Sequence, residues 1–359
     1  MQLLKYPSLV QNEILNNMEF SNLLMLSFVS KNMKKLIKSS SQMQRFKNVN
    51  TIRYDHRDEG TFVYIPFYNL PENMLRIAKH DNTKHDYFKL NVSGKWFDFR
   101  IIYDFGHYYP VAYYHRDETE CLLNSIHGYF LDFFGNSVKY YWHARDYKQP
   151  IPKLQNLSVC LYHHPGMPGT NSYVLNMRRF ENFFSVSPIF KFIEIYKSNI
   201  TEPLRPESKF YQAEYIESVQ YDTTLPAILH HFQGRQAYLK IVGCENRDVI
   251  EFVGKWKSGE AFDKFEHIKI ETGIGGFTQN EILNTIGAKH LDRVKKPPTH
   301  VLPKVYDWHN RNPNTDPITS HTYIVRESDN RVASILIEGY TFNFGVWDKT
   351  EEEFLRMIG

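Results

Sequence analysis

Residues 6–38, YPSLVQNEILNNMEFSNLLMLSFVSKNMKKLIK, constrain this chain more than any other stretch. Pro7 fixes φ near the helical value and suits a first helical turn, where its missing N–H costs nothing. Ser8 with Gln11 matches an S-x-x-Q capping box. Val10, Ile14 and Met18 then recur every four residues, with Leu9 and Leu15 alongside, so one helical face is apolar. Asn16 and Asn17 predict a break, and Ser21 predicts the N-cap of a second helix. That helix is apolar around most of its circumference, through Leu23, Leu24, Leu26, Phe28 and Val29. A segment of about 40 residues cannot hide so much apolar surface within itself. The leucines at 23, 24 and 26 must therefore bury against the downstream chain or against another protein. We expect them to be partly uncovered in the lone polypeptide, awaiting a separate subunit. A third helix carries Met33, Leu36 and Ile37 inward and Lys31, Lys34, Lys35 and Lys38 outward, before the run at Ser39–Ser41 ends it.

By pattern alone this is a three-helix subdomain. Its ordered features, Tyr6-Pro7, Leu9-Val10, Leu23-Leu24-x-Leu26 and Ser30-Lys31, resemble the F-box family over about 35 residues. The family usually has Leu before the Pro and often Cys-Arg where this chain has Ser-Lys. The resemblance implies binding to a Skp-family adaptor, and through it to a cullin, with Pro7, Leu9, Val10, Ile14, Leu23, Leu24, Leu26, Ser30 and Lys31 in or near the contact. It also implies a non-catalytic substrate receptor that holds an unknown target protein for ubiquitin transfer. A scaffold without a role in ubiquitination is the alternative, and an enzyme hidden in the C-terminal region a third reading. The interface would have an aliphatic centre and a cationic rim.

Charge supports that rim. Residues 1–48 hold seven Lys or Arg against Glu13 and Glu19, a net of +5 that leaves about −2 for the rest of a chain whose total is +3. So near-neutral a whole offers no electrostatic case for nucleic acid. Aromatic content of 15% argues against disorder over most of the 359 residues. Three widely spaced cysteines, Cys121, Cys160 and Cys244, argue for a reducing compartment rather than a disulfide framework. The apolar run Leu23–Val29 is too short to span a bilayer. The expectation is a soluble protein of the cytoplasm or nucleus, with no membrane contact and no cofactor. Sequons at Asn91, Asn156 and Asn199 then carry no meaning.

The predicted fold is α+β or α/β: a helical segment (1–48), a strand-rich segment with one helix (49–150), an α/β repeat-like region (151–294), a Pro- and Asn-rich loop (295–320) and a C-terminal hairpin with a capping helix (321–359). Runs at Thr51–Tyr54, Phe62–Tyr68, Tyr87–Asn91 and Trp96–Tyr103 predict antiparallel strands, with Leu70-Pro71 opening a loop, and Glu118–Phe134 predicts a helix. After residue 150 an apolar-x-x-apolar-x-apolar pattern recurs, centred on 157, 193, 216, 239 and 268. Helical segments Met177–Phe184, Thr224–Phe232 and Arg247–Lys257 fall between its copies. The spacing fits either leucine-rich-type units or a compact α/β domain with a parallel sheet. Residues 247–271 and 322–358 also resemble the F-box-associated region (type 2) of a large nematode family, which implies no catalytic residues. Tyr323–Arg326 and Val332–Glu338 flank Ser328-Asp329-Asn330 as a hairpin, and Thr350 with Glu353 predicts a capping box for the last helix.

Other constellations are weak. Gly273-Ile274-Gly275-Gly276 lacks the Gly-Lys-Ser/Thr ending of a phosphate loop, and Thr278 with Glu281 makes it the loop before a capped helix. Cys160, His163 and His164 have no second pair at metal-finger spacing. Tyr108-Tyr109, Tyr113-Tyr114 and Tyr140-Tyr141-Trp142 read as core and strand-face residues ahead of a binding surface.

Overall fold

The computed structural model describes residues 3–39, 46, 48–67, 71–81, 86–104, 106–115, 118–164, 176–196, 202–219, 225–308 and 312–358. Expected features at Ser40–Ser41, Tyr68, Leu70, Asn199 and Thr224 lie outside these residues. The chain divides into two compact units, residues 1–144 with 151–158, and residues 145–150 with 159–359.

In the first unit, helices α1 (Ser8–Asn16), α2 (Phe20–Val29) and α3 (Lys31–Ser39) precede strands β1 (Thr51–Arg57), β2 (Gly60–Ile65), β3 (Glu72–Lys79), β4 (Phe88–Val92), β5 (Lys95–Asp104) and β6 (His107–Tyr114). Helix α4 (Thr119–Phe134) and strand β7 (Lys139–Ala144) follow. The strands lie in the order β7-β1-β2-β3-β6-β5-β4. The expectation of a wholly antiparallel sheet is corrected, because β1 pairs β7 and β3 pairs β6 in parallel. Strand β3 escaped the sequence reading because Met, Leu, Ala and Lys are poor strand formers, and pairing to β2 overrides that preference. Strand β6 contains Pro110, which reads as a strand breaker. It is tolerated because the β3–β6 ladder begins one residue later, at Val111. Apolar α4 residues Leu122, Ile126 and Phe130 are fully buried. Tyr109, Tyr140, Tyr141 and Trp142 are buried too, while Tyr108 is exposed, so most of these aromatics are core.

In the second unit the repeat becomes five strands: β8 (Leu157–His163, within this unit from Val159), β9 (Phe192–Tyr196), β10 (Tyr215–Val219), β11 (Gln236–Ile241) and β12 (His267–Thr272). They are parallel and stacked in chain order. Helices α5 (Met177–Val186), α6 (Leu225–His231) and α7 (Asn246–Ser258) lie between them in the chain. The register row runs Leu161–Ile193–Ile216–Ala237–Ile268, so the repeat centres at 193, 216 and 268 align, whereas 157 and 239 give way to 161 and 237. Short apolar runs of period two allow such slips, by four residues at 157 and two at 239, without changing which face is buried. Beyond β12 come α8 (Gln279–Ile286), β13 (Lys289–His290), β14 (Thr299–His300), β15 (Ile318–Thr319), β16 (Thr322–Val325), β17 (Arg331–Glu338), β18 (Thr341–Thr350) and α9 (Glu351–Leu355). Strand β18 pairs antiparallel to β12, and β17, β16 and β13 extend the sheet from there.

The β16–β17 hairpin turns with Asn330 at a φ of 59°, as the Ser-Asp-Asn signal requires, and both halves of the Thr350–Glu353 capping box form. The stretch 295–320 is more than a surface loop: its two-residue strands β14 and β15 pair, and His300, Ile318, Tyr306 and Thr315 are buried. Gly345 in β18 has no room for a side chain, since a Cβ there would lie 2.4 Å from His300 Nδ1.

Candidate docking face and the sheet face of the second unit

Pro7 stands just before α1, and Ser8 is already helical, so the expected Ser8 cap does not form. Gln11 instead turns back and donates through Nε2 to the Tyr6 carbonyl at 2.8 Å. Helix α1 buries a single side chain, Leu15. Leu9 is 81% exposed, Val10 is exposed and Ile14 half-buried, with exposed Leu4 and Tyr6 beside them in the chain. Pro7 is exposed as well. A nine-residue helix with one inward residue has little core contact of its own and offers an apolar outer surface.

Helix α2 behaves differently. It packs against α3 and against β3, β4 and β6 of its own unit. Leu23 and Leu24 are fully enclosed, at 0% exposure. The expectation that they are partly uncovered is therefore corrected; of the three leucines only Leu26 stays half-buried, while Val29, outside the expected adaptor contact, is exposed. The helix also starts at Phe20 rather than after a Ser21 cap, and Ser21 is buried. Its first N–H is satisfied by Glu72 Oε1 from β3 at 2.5 Å, a carboxylate at the positive end of the helix. No local pattern could reveal a cap that lies 52 residues away.

Ser30, half-buried, accepts from the Met33 N–H at 3.1 Å and so caps α3. Met33 and Ile37 point inward as expected. Of the four lysines, Lys31 and Lys35 are exposed. Lys34 is engaged: it pairs with Asp132 of α4 and lies 3.8 Å over the Tyr129 ring. Lys38 donates to the Asp132 carbonyl at 2.7 Å. The hydrogen bond from Lys34 holds the Asp132 carboxyl below its ordinary range. The cationic rim therefore shrinks to Lys31 and Lys35, because the fold spends the other two on its own packing.

The second unit presents a polar sheet face. Strand alternation sends Ile193, Ile216, Leu239 and Ile270 to its buried side. On the other side one register row reads Glu194–Glu217–Tyr238–Lys269. Two carboxylates directly opposite each other on paired strands repel. Burial raises the Glu217 carboxyl pKa, and Glu194 raises it further. The Tyr215 hydroxyl donates to Glu217 at 3.1 Å, and His164 Nε2 lies 2.5 Å from Glu194. A cleft of about 220 Å³ opens here, lined by Tyr215, Glu217, Tyr238, His267 and Lys269. His267 is nearly buried, and its Nε2 has no partner among the described residues.

The weaker candidates dissolve. Cys160 and His163 are buried three residues apart on one strand, hence on opposite faces, while His164 serves Glu194. The glycine loop 273–276 is tied down: Asn246 accepts from the Thr278 N–H and donates to Glu281, so the Thr278–Glu281 box is replaced by a bond to α7. Glu245 and Glu281 line the adjacent hollow, which suits no phosphate.

Residues 7–44 match the family model of the F-box domain. No curated protein and no solved structure matches this chain.

Proposed function

We propose that this chain is the non-catalytic substrate receptor of a Skp–cullin–F-box type ubiquitin ligase, acting in the cytoplasm or nucleus. In this reading α1 and the α2–α3 corner dock on a Skp-family adaptor, and the second unit holds a target protein. The carrying observation is the exposure of Leu9 and Val10 on α1 inside the matched domain, with exposed Leu4 and Tyr6 just before it in the chain and exposed Val29 at the end of α2. Lys31 and Lys35 add a cationic rim that steers an acidic partner and makes association salt-dependent. Rate enhancement comes from effective concentration of the target's lysines, not from chemistry by this chain. The resemblance of residues 247–271 and 322–358 supports reading the second unit as an F-box-associated region.

The full chain, mixed with a purified Skp-family adaptor, elutes as a one-to-one complex in size-exclusion chromatography. Leu9→Asp with Val10→Asp loses at least about 2 kcal/mol of binding, roughly 30-fold, at unchanged Tm, because both side chains lie outside the core. A wild-type chain that stays monomeric beside the adaptor overturns the assignment.

The enclosure of Leu23 and Leu24 favours a second reading, an interaction scaffold outside ubiquitin transfer, because it removes aliphatic surface that the F-box resemblance assigns to the adaptor. In either role the target face is the row at Glu194 and Glu217, where the paired carboxylates suit a basic segment. Glu194→Gln with Glu217→Gln weakens capture of such a target while adaptor binding persists. Proximity labelling of the wild type and of this variant, each with and without Leu9→Asp/Val10→Asp, reads both effects. Identical labelled sets from wild type and the Gln variant would remove the sheet face from the proposal.

A further inference from the structure

We propose that His80, Asp98 and His115 form a binding site for a divalent transition-metal ion of the zinc class. The backbone places the three residues at one end of the first unit's sheet. In the parallel β3–β6 ladder Lys79 pairs with Tyr114, and His80 and His115 are the residues that directly follow the two strands. The His80 N–H donates to the Tyr114 carbonyl at 2.9 Å, which holds the two positions together. Asp98 on β5 pairs with Tyr113, two residues before His115 and so on the same side of the sheet.

One donor atom from each of the three side chains lies within 4.8 Å of the others. His115 Nε2 stands 3.8 Å from Asp98 Oδ2. A tetrahedral ion with bonds of about 2.0–2.2 Å needs donors roughly 3.3–3.5 Å apart. The required closure is about 1 Å, within reach of His115, whose side chain is 57% exposed and can rotate. His80 is less free, which suits a fixed ligand: its ring stacks on His115 at 4.7 Å and packs against Tyr87 at 4.6 Å and Tyr113 at 5.8 Å. Two imidazoles and one carboxylate are the donor set that Zn²⁺ takes when one position stays open to water or to a partner's side chain.

Packed histidines at strand ends are ordinary on their own. The convergence of a carboxylate on both of them distinguishes this cluster, and it is the one group of three such donors among the described residues. Lys89 Nζ lies 3.7 Å from Asp98 Oδ1 and is the competing cation. Its side chain is 70% exposed, so it can give way to an ion of higher charge.

The test uses the full chain without a histidine tag and Co²⁺ as a spectroscopic probe. One equivalent of Co²⁺ produces the visible d–d absorption of a four-coordinate nitrogen–oxygen site, without a thiolate charge-transfer band, and Zn²⁺ displaces it. His115→Ala and Asp98→Asn each weaken binding by at least about 100-fold, above the loss typical of residues that only support a ligand. His115 lies toward solvent and Asp98, half-buried, is replaced by an amide of the same shape, so the fold survives, and circular dichroism checks it. His107→Ala, an exposed histidine outside the cluster, binds like wild type. Absence of saturable binding, a thiolate band, or equal affinity in His115→Ala and wild type each overturns the site.

Discussion

Leu23→Ala and Leu24→Ala each destabilise the first unit by about 2–5 kcal/mol, the cost of emptying a fully buried leucine site. For a unit of this size that corresponds to a fall in Tm of roughly 5–20 °C. The two positions adjoin on α2, so the double variant does not give the sum of the singles. Loss of packing under α2 also frees the Glu72 cap, because the Phe20 N–H and the carboxylate are positioned together. Amide exchange in β3 and β6 therefore speeds up along with that of α2. The sequence alone leads one to expect that Asp at both positions abolishes adaptor binding and leaves residues 50–359 folded; the packing overturns the second half, since α2 rests on strands of the same unit. Unfolding curves of the two single variants that superimpose on wild type would refute the burial. Leu9→Asp with Val10→Asp is the counterpart, with stability intact and docking lost. This pair of outcomes separates a core leucine from an interface one.

Acid weakens the second unit well before its carboxylates are protonated. Burial holds His163 and His267 neutral, with pKa values pushed down to about 4, and His300 is also lowered by burial. His163 finds no hydrogen-bond partner for either ring nitrogen among the described residues, and the His267 and His300 rings stack at 6.3 Å, where charging one disfavours charging the other. The unfolded chain protonates His163 and His267 near pH 6.5, and the folded chain does not until near pH 4. More protons on the unfolded state means that stability rises with pH, so it is full above about pH 6.5 and lost as pH falls through the window below. His163 and His267 each contribute a slope of about 1.4 kcal/mol per pH unit, on the order of 5 kcal/mol together between about pH 6.5 and pH 4.5. Glu217 works the other way, because its raised pKa adds stability as pH falls, but it is a single group. Urea unfolding of the second unit at several pH values measures the slope, and His163→Leu removes part of it. A midpoint that stays constant from pH 7 to pH 5 would contradict the neutral burial of these rings.

Elements whose signals are local were readable from the chain. The three N-terminal helices, the helix at 119–134, the Asn330 turn and the Thr350 capping box each depend on residues within a few positions of one another. The five stacked strands were visible as apolar runs, since a strand buried on one face must show period two. Strand β3, the parallel pairings and the shifts of register at 161 and 237 were not, because they depend on which partner a strand meets, and partners lie tens of residues away.

The same division holds at the proposed docking face. Its composition alone required that an α2 apolar on all sides be covered, because water does not tolerate so much exposed leucine on so short a helix. What covers it was decided by tertiary structure: β3, β4 and β6 close over α2, Glu72 caps it from a strand, and Asp132 takes up Lys34. Hydrophobic pattern states how much surface must leave water and is silent on the neighbour that receives it, since burial is non-directional. Leu9 and Val10 remain outside because α1 finds only Leu15 a place in the core.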